Sequence, residues 1–254
     1  MAKIQQIFSV IILGSLAAHA AAFEFDRPGE GISTSTTPVG QWAWEQSLPA
    51  VNYQETTVNG QSIKTTRLNA DVLLRTGLSS NLELQLGWDG PMWSQSKVQG
   101  QRFEDDGLGD VSIAVKRAID LDDEKLSFAV LAKATLATGQ KGFSNDEDIY
   151  ALASAVNYQF DETVNTSINM RYEWQDGAWT VLAIPGLSYQ LTDRWAGFSE
   201  WVYSKTEGQK YESRLNSGVM YAVSDRVQLD ASLGIHVDGG PKQYNTGLGV
   251  AFLF

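Results

Sequence analysis

The sequence predicts an all-β fold, an antiparallel up-and-down β-barrel of about twelve strands that spans a membrane. Apolar side chains recur at every second residue over most of the chain, which is the period of a strand with two different faces. Short polar turns recur between such segments, as they do between paired strands. The composition agrees, because 23 glycines, 8 tryptophans and 9 tyrosines in 254 residues favour β-structure rich in amphipathic aromatic side chains.

The first element is an export signal at residues 1–22. Lys3 precedes an apolar stretch, IFSVIILGSLA, and the small residues of AHAAA then allow cleavage after Ala20 or Ala22. The apolar stretch is too short for a membrane anchor, which needs about 20 residues, and no later stretch reaches that length. The sequence therefore predicts a signal peptide and excludes helical membrane spans.

Charge and cysteine content exclude further classes of protein. Asp and Glu total 30 against 19 Lys and Arg, and the net charge of −11 argues against nucleic acid as a partner. There is no cysteine, which excludes disulfides and thiolate chemistry, and we expect no cofactor.

A turn signature organises the rest of the chain. An apolar residue, a tight polar turn and a new alternating segment follow one another at Ser79-Ser80-Asn81, the longer LDDEK (121–125), Asp161-Glu162-Thr163, Thr192-Asp193-Arg194 and Ser224-Asp225-Arg226. Such turns join six hairpins, which predicts about twelve strands and places both termini at the tight-turn end, expected to be periplasmic. Longer polar connections are expected at the other end, at 52–63, 89–107, 138–148, 174–178, 205–210 and 238–243. An even strand count lets the last strand pair with the first and closes the barrel over residues 41–254.

The alternation assigns side chains to two faces. In 164–173 and 227–237 bulkier, mostly apolar residues alternate with polar or small ones throughout, and in 67–75 Leu73 is the exception. The facing of 195–205 stays open, because Phe198 has the same parity as Glu200. Pro185 lacks an N–H donor and is compatible with a bulge in its strand.

Three features together favour a membrane barrel over a soluble periplasmic β-sandwich, since both show a period of two: aromatic residues near strand ends, charges of both signs in mid-strand on the polar face, and the predicted signal peptide. The aromatic residues lie near strand ends, namely Phe160, Tyr189, Trp195, Tyr221 and Phe254 at the tight-turn end and Trp88, Tyr150, Tyr172, Trp179, Tyr203 and Tyr244 at the other. Such rings are typical of the membrane–water interface, so one face meets lipid and the other a wet interior. A terminal Phe254 after alternating apolar residues also resembles the closing strand that the barrel-assembly machinery recognises.

The predicted inward face carries charges of both signs. The candidate lumen-lining residues are Arg67, Asp71, Arg75, Glu83, Asp110, Lys116, Lys133, Arg171, Glu173, Glu212, Arg214, Asp230 and His236. Two interpretations are open: cross-strand pairs that stabilise the wall, and a lining that selects solutes. The mixed signs argue against strong selection of anions or of cations.

The stretch 23–40 before the first strand also has two interpretations. Twelve strands about 4.8 Å apart and tilted by about 40° give a barrel radius near 12 Å, which leaves a narrow passage between the side chains. The segment FEFDRPGEG either enters this passage as a plug, with Asp26 and Arg27 pairing to lumen charges, or forms an extended periplasmic lead-in.

Catalysis and metal binding receive little support from the sequence. His236 is the only histidine after the signal peptide, and Asp230 and Ser232 on its face are not placed to form a catalytic triad with it. The acidic stretches 103–107 and 144–149 lack the spacing of a calcium loop, and we interpret them as solvated charge that divalent ions bridge to lipopolysaccharide. We therefore expect neither enzymatic activity nor a dedicated metal site.

Several stretches resemble one family over nearly all of the mature chain. FEFDRPGEGISTSTTPVGQWAWEQSLP (23–49), GLGDVSIAVK (107–116) and TLATGQKGFSN (135–145) are similar to the family of the MetA pathway of phenol degradation. Its most specific part here is Asp26-Arg27-Pro28-Gly29 followed by STSTTPVG. The resemblance implies an outer-membrane β-barrel through which aromatic or other apolar small molecules pass, and it transfers no catalytic or binding residue.

The sequence thus predicts an exported outer-membrane channel or transporter for small molecules. Its expected partners are outer-membrane lipid and lipopolysaccharide, the barrel-assembly machinery and the solutes themselves. The alternative is a non-conducting barrel with a structural or surface-interaction role, and an envelope enzyme comes third.

Overall fold

The computed structural model describes residues 23–254, and the predicted signal peptide, 1–22, lies outside them. Within the described residues, 15 strands form one antiparallel sheet. The strands are β1 (Trp42–Val58), β2 (Gln61–Asn69), β3 (Val72–Ser79), β4 (Leu82–Trp88), β5 (Pro91–Val98), β6 (Gln101–Leu108), β7 (Val111–Ile119), β8 (Leu126–Leu136), β9 (Ile149–Gln159), β10 (Val164–Gln175), β11 (Ala178–Gln190), β12 (Trp195–Thr206), β13 (Tyr211–Ser224), β14 (Val227–His236) and β15 (Lys242–Leu253). The sheet closes because β15 pairs with β1, from Ala43 opposite Leu253 to Glu55 opposite Lys242.

Twelve strands surround the barrel, because six of the fifteen strands are the halves of three long, interrupted strands. β2 and β3 run end to end along β1, β4 and β5 run along β3 and β2, and β6 and β7 run along β5 and β4. The prediction of about twelve strands in a closed antiparallel barrel is confirmed. Among residues 23–254 there is no helix with the length and apolar character that a membrane span requires.

Two of the predicted long connections are wrong. Residues 52–63 and 89–107 are largely strand, and with β1 they form a four-stranded sheet, β1–β2–β5–β6, that continues past the point where β7 pairs with β8. Their tips are the two-residue turns Asn59-Gly60 and Gln99-Gly100, in which both residues have positive φ. This geometry matches the twist of the flanking strands, and Asn-Gly is its strongest sequence signal. We call this sheet the extension and its end of the barrel the hairpin end.

The tight turns lie where they were predicted, at the end that holds Trp42 and Phe254. These two residues exchange backbone hydrogen bonds of 2.7 and 2.9 Å. In one such turn the Asp161 carboxylate accepts hydrogen bonds from the Thr163 and Val164 amides, at 2.7 and 2.9 Å. Hydrogen bonds from Thr163 hold the pKa of Asp161 below its usual range. The short polar side chain thus replaces the backbone partner that the turn lacks.

The open facing of 195–205 is settled by register and burial. Glu200 pairs with Gly186 and with Asn216, and Phe198, Glu200 and Val202 are all buried on the inner face. Trp195, Trp201 and Tyr203 lie on the outer face. The β11–β12 register is the same on both sides of Pro185, so the bulge considered there is absent from this pair.

The outer face of the barrel is apolar. Leu152 is 64% exposed, Leu248 57% and Leu233 56%, and many other large apolar side chains lie on the same surface. A surface of this kind would associate in water, but it matches the hydrocarbon core of a bilayer.

Candidate functional site

The N-terminal segment, defined as residues 23–37, lies inside the barrel. The backbone amides of Asp26 and Arg27 donate to the Glu45 carboxylate of β1, at 3.1 and 2.8 Å. Further along, the amide of Glu30 donates to Glu200 of β12, at 2.7 Å, and that of Ile32 donates to Asn169 of β10, at 3.0 Å. Because β1, β10 and β12 stand at different positions around the wall, the segment crosses the interior.

A buried charge cluster holds the first part of the segment. Arg75 of β3 contacts Glu45 at 2.7 Å and Glu83 of β4 at 2.9 Å. Asp26 lies between two cations, 3.6 Å from Arg75 and 3.2 Å from Lys116 of β7. The side chains of Arg75, Lys116, Glu45 and Glu83 are fully buried, so the pairing compensates charges that have lost their water. We call these five residues the Arg75 cluster.

Arg27 ties the next part of the segment to the neighbouring part of the wall, across the β1–β15 closure. Its guanidinium contacts Asp230 of β14 at 3.2 Å and donates to the Ser47 hydroxyl of β1 at 2.8 Å. Asp71, which directly precedes β3, lies 3.5 Å from the same group. One cation therefore bridges the two strands on either side of β15.

Glu30 makes the third attachment. Its carboxylate pairs with Arg171 of β10 at 3.4 Å and with Arg214 of β13. Arg171 also pairs with Glu173 on its own strand, at 2.8 Å. Each of the three attachments joins a charged residue of the segment to inward charges of opposite sign.

The remaining predicted lining residues lie toward the hairpin end. Lys133 borders an interior cavity, and Glu212 is exposed at the start of β13. Arg67 donates to the Gly142 carbonyl at 3.1 Å and stands over the Phe143 ring. His236 pairs in register with Arg214, the partner of Glu30 in the third attachment.

Asp110 anchors the connection between β8 and β9 rather than facing an open lumen. Its carboxylate accepts hydrogen bonds from the amides of Gly139 and Asn145, both at 2.7 Å, and from the Ser144 hydroxyl at 2.8 Å. The ring of Phe143 in the same connection is buried and lies against Gly107 of β6. Residues 137–148 are thereby fixed to the junction of β6 and β7.

Sequence reasoning missed several interior residues. Glu45, Glu200, Asn169 and Gln85 are all buried and contact the N-terminal segment directly. For Glu45 a signal exists, since Ala43, Glu45 and Ser47 alternate with Trp42, Trp44 and Gln46. For Glu200 the shared parity with Phe198 concealed the assignment.

The interior also contains apolar patches that a purely polar lumen would lack. Ala114, Leu131 and Ala153 form a buried patch on β7, β8 and β9, against which Ile32 of the segment packs. A second patch consists of Leu182, Ile184 and Val202 on β11 and β12.

Two cavities flank the segment. One of about 420 Å³ lies toward the hairpin end, bordered by Asp89, Lys133 and Asn145 and by the Ala114–Leu131–Ala153 patch. The other, of about 540 Å³, opens at the tight turns beside Glu162 and Asp225. Residues 26–29, 31 and 32 line both, so the segment stands between them. Both volumes lie in the range of small-molecule sites.

Within residues 23–254, no group of three or more His, Asp or Glu side chains is arranged to hold a metal ion. The features that the interior does contain are ion pairs, buried apolar patches and two cavities.

This architecture defines an outer-membrane β-barrel: a closed antiparallel sheet with an apolar outer face, aromatic residues near both ends and a charged interior. The chain belongs to the family described as "Putative MetA-pathway of phenol degradation", whose model matches residues 25–254. The resemblance seen in the sequence is thereby confirmed.

Solved structures share the fold at low sequence identity. The chain is similar to the COG4313 outer membrane channel from Pseudomonas putida F1, with a TM-score of 0.64, 14% identity and coverage of 89% of this chain and 99% of that one. It is similar to the translocator domain of the autotransporter NalP from Neisseria meningitidis, with a TM-score of 0.56, 12% identity and coverage of 89% and 90%. The KdgM porin in complex with disordered oligogalacturonate gives a TM-score of 0.54, 10% identity and coverage of 80% and 98%. No curated protein matches the chain significantly.

Proposed function

We propose that the protein is a passive outer-membrane channel for small aromatic or apolar molecules, in which the N-terminal segment is a plug that narrows the lumen. The observation that carries the proposal is the pair of cavities that share residues 26–29, 31 and 32 as a common wall. A solute that crosses the barrel has to pass this segment. We further propose that the tight-turn end and both termini are periplasmic, since short turns on that side are typical of bacterial barrels.

The choice of solute rests on the inner surface and on the family. Ala114, Leu131, Ala153 and Ile32 give the hairpin-end cavity an apolar wall, opposite the charges of Lys133 and Asp89. Phe25, Phe198 and Met220 border the cavity at the tight turns. Apolar walls with a few polar groups suit a small aromatic molecule better than a sugar. The family description names phenol degradation, which is consistent with this class.

For the lining charges we propose a mainly structural role. Arg75, Glu83, Lys116 and Asp230 are buried in ion pairs, so they hold the segment and the wall rather than meeting bulk solution. Lys133 is exposed to the hairpin-end cavity and is the best candidate for a residue that meets the solute.

The experiment is planar-bilayer recording of the refolded mature protein with phenol, and with glucose as the polar control. We expect a small steady conductance that phenol reduces and glucose leaves unchanged. Leu131→Asn should weaken the phenol effect, because it makes the apolar cavity wall polar. A silent bilayer would favour the non-conducting barrel instead, and equal block by both solutes would contradict the proposed solute class.

A further inference from the structure

A row of cations crosses the outer face of the extension. In the strand registers Lys64 of β2 stands directly opposite Lys97 of β5, and Lys97 stands directly opposite Arg102 of β6. All three side chains are exposed. We call them the cation row. Strands lie about 4.8 Å apart, so the row spans about 10 Å.

The row carries more positive charge than its neighbours balance. Like charges directly opposite one another on a sheet are destabilising. Lys64 pairs with Glu55 of β1 at 3.6 Å, but within the described chain no carboxylate forms an ion pair with Lys97 or Arg102. Glu104 lies two residues beyond Arg102 on β6, and its carboxylate accepts a hydrogen bond from Gln95 at 2.8 Å. The chain as a whole has a net charge of −11, so this local excess of positive charge stands apart from the rest and is suited to binding an external anion.

The cation row also lies at a defined distance from two tyrosines on the outer face of the barrel. Tyr53 of β1 and Tyr244 of β15 stack on the outer face with ring centroids 6.1 Å apart. Glu55 and the cation row stand two residues further along the strands, which is about 7 Å beyond the tyrosines. Interfacial tyrosines mark the boundary between hydrocarbon and water, so the row stands at the level of lipid headgroups.

We infer that the cation row binds the phosphate groups of lipopolysaccharide, specifically the phosphorylated lipid A in the leaflet around the hairpin end. A phosphate monoester carries a charge of about −1.5 to −2 and offers three acceptor oxygens, which suits a cluster of Lys and Arg. The acyl chains of the same lipid would lie along the apolar wall below the tyrosines. The physiological setting rests on the proposed orientation, with the hairpin end outside, whereas the binding chemistry does not.

The test uses the refolded mature protein in neutral detergent, titrated with diphosphorylated lipid A and followed by native mass spectrometry. We expect the triple variant Lys64→Gln, Lys97→Gln, Arg102→Gln to bind lipid A roughly tenfold more weakly or worse, since each basic group near a phosphate adds to binding. The charge-matched control, Lys125→Gln, Arg194→Gln, Arg226→Gln, changes three exposed cations of the tight turns and should bind like the unchanged protein. Equal binding by both triple variants would overturn the inference.

A second measurement needs no variant. Lipid A without its phosphates should bind the unchanged protein as weakly as the cation-row variant binds the phosphorylated lipid. Equal binding of the two lipids would assign recognition to the acyl chains, and full competition by equimolar inorganic phosphate would assign it to free phosphate; either result overturns the inference. The cation-row variant should retain its conductance, so failure here and failure of the proposed channel remain distinguishable.

Discussion

Arg75 illustrates how single residues organise the interior. Its guanidinium is fully buried and contacts the carboxylates of Glu45 and Glu83, while Asp26 of the segment lies 3.6 Å away. A buried cation in such a site compensates several carboxylates at once. Its removal leaves Glu45 without an ion-pair partner and Glu83 and Asp26 with Lys116 alone, which costs more than the pair itself contributes.

We expect Arg75→Gln to lower the free energy of unfolding by about 3–5 kcal/mol, the usual result of removing one partner of a buried ion pair. Arg117→Gln is the control, because Arg117 is exposed on β7 beside the buried Lys116 and should change stability little. Urea unfolding of the refolded protein, followed by tryptophan fluorescence, measures both. Similar unfolding midpoints for the two variants would mean that the Arg75 cluster is hydrated and contributes little.

Residue parity explains which interior side chains the sequence could identify. Asp26, Arg27, Arg75, Lys116 and Asp230 were proposed from the sequence, and the structure brings them into two neighbouring groups with the segment. Glu200 was not found, because Phe198 and Val202 share its face and made the strand look apolar on that side. The period-two alternation predicts which face of the sheet a residue occupies. It does not predict the buried apolar patches on the inner face, because those patches depend on packing against the N-terminal segment.

At the scale of elements, the extension and the β8–β9 connection depend on local turn chemistry. The Asn-Gly turn at 59–60 lies within a polar stretch, and the polar composition suggested a loop although the dipeptide itself is typical of a tight hairpin. The long strands are interrupted at Ala70-Asp71, Asp89-Gly90 and Gly109-Asp110. The period-two pattern of the sequence does not reveal these interruptions. The number of strands around the barrel was therefore predictable from the sequence, whereas the length of the extension was not.

We expect Asp110→Ala to release residues 137–148, because the Asp110 carboxylate accepts hydrogen bonds from Gly139, Ser144 and Asn145. Limited trypsin digestion should then cut after the exposed Lys141 at least about tenfold faster, since loss of the anchors raises local opening. Glu147→Ala lies in the same connection, where only the backbone carbonyl of Glu147 accepts a hydrogen bond, and it should be cut like the unchanged protein. Equal cleavage of both variants would show that Phe143 and the hydrogen bonds between Gln140 and Leu108 fix the connection without Asp110.

At the scale of the whole molecule, closure between β1 and β15 removes the free edges of the barrel, while β6 in the extension pairs only with β5 among the described strands. The apolar outer face, the aromatic ends and the paired interior all follow from this closure, because the closed barrel has one face toward lipid and one toward its interior. Phe254 lies beside Trp42 at the closure, where its backbone continues the pairing and its side chain is 60% exposed.

We expect Phe254→Ala to reduce assembly in the outer membrane of cells while refolding in detergent stays unchanged. The exposed terminal ring is the feature proposed for recognition by the assembly machinery, and the backbone hydrogen bonds survive the substitution. Phe252→Ala, on the same outer face of β15, is the control. The measurement is the heat-modifiable band on gels of membranes and of refolded protein. A parallel loss in both preparations would assign Phe254 a purely structural role.

The most direct measurement of the central claim is single-channel conductance of the mature protein with and without residues 23–38. These residues include the wall between the two cavities and the partners of the Arg75, Arg171 and Asp230 side chains. We expect the deletion to raise conductance severalfold in a barrel that still shows its heat-modifiable band, and the peptide 23–38 added in solution to lower it again. Unchanged conductance after the deletion would contradict the assignment of the N-terminal segment as the element that narrows the lumen.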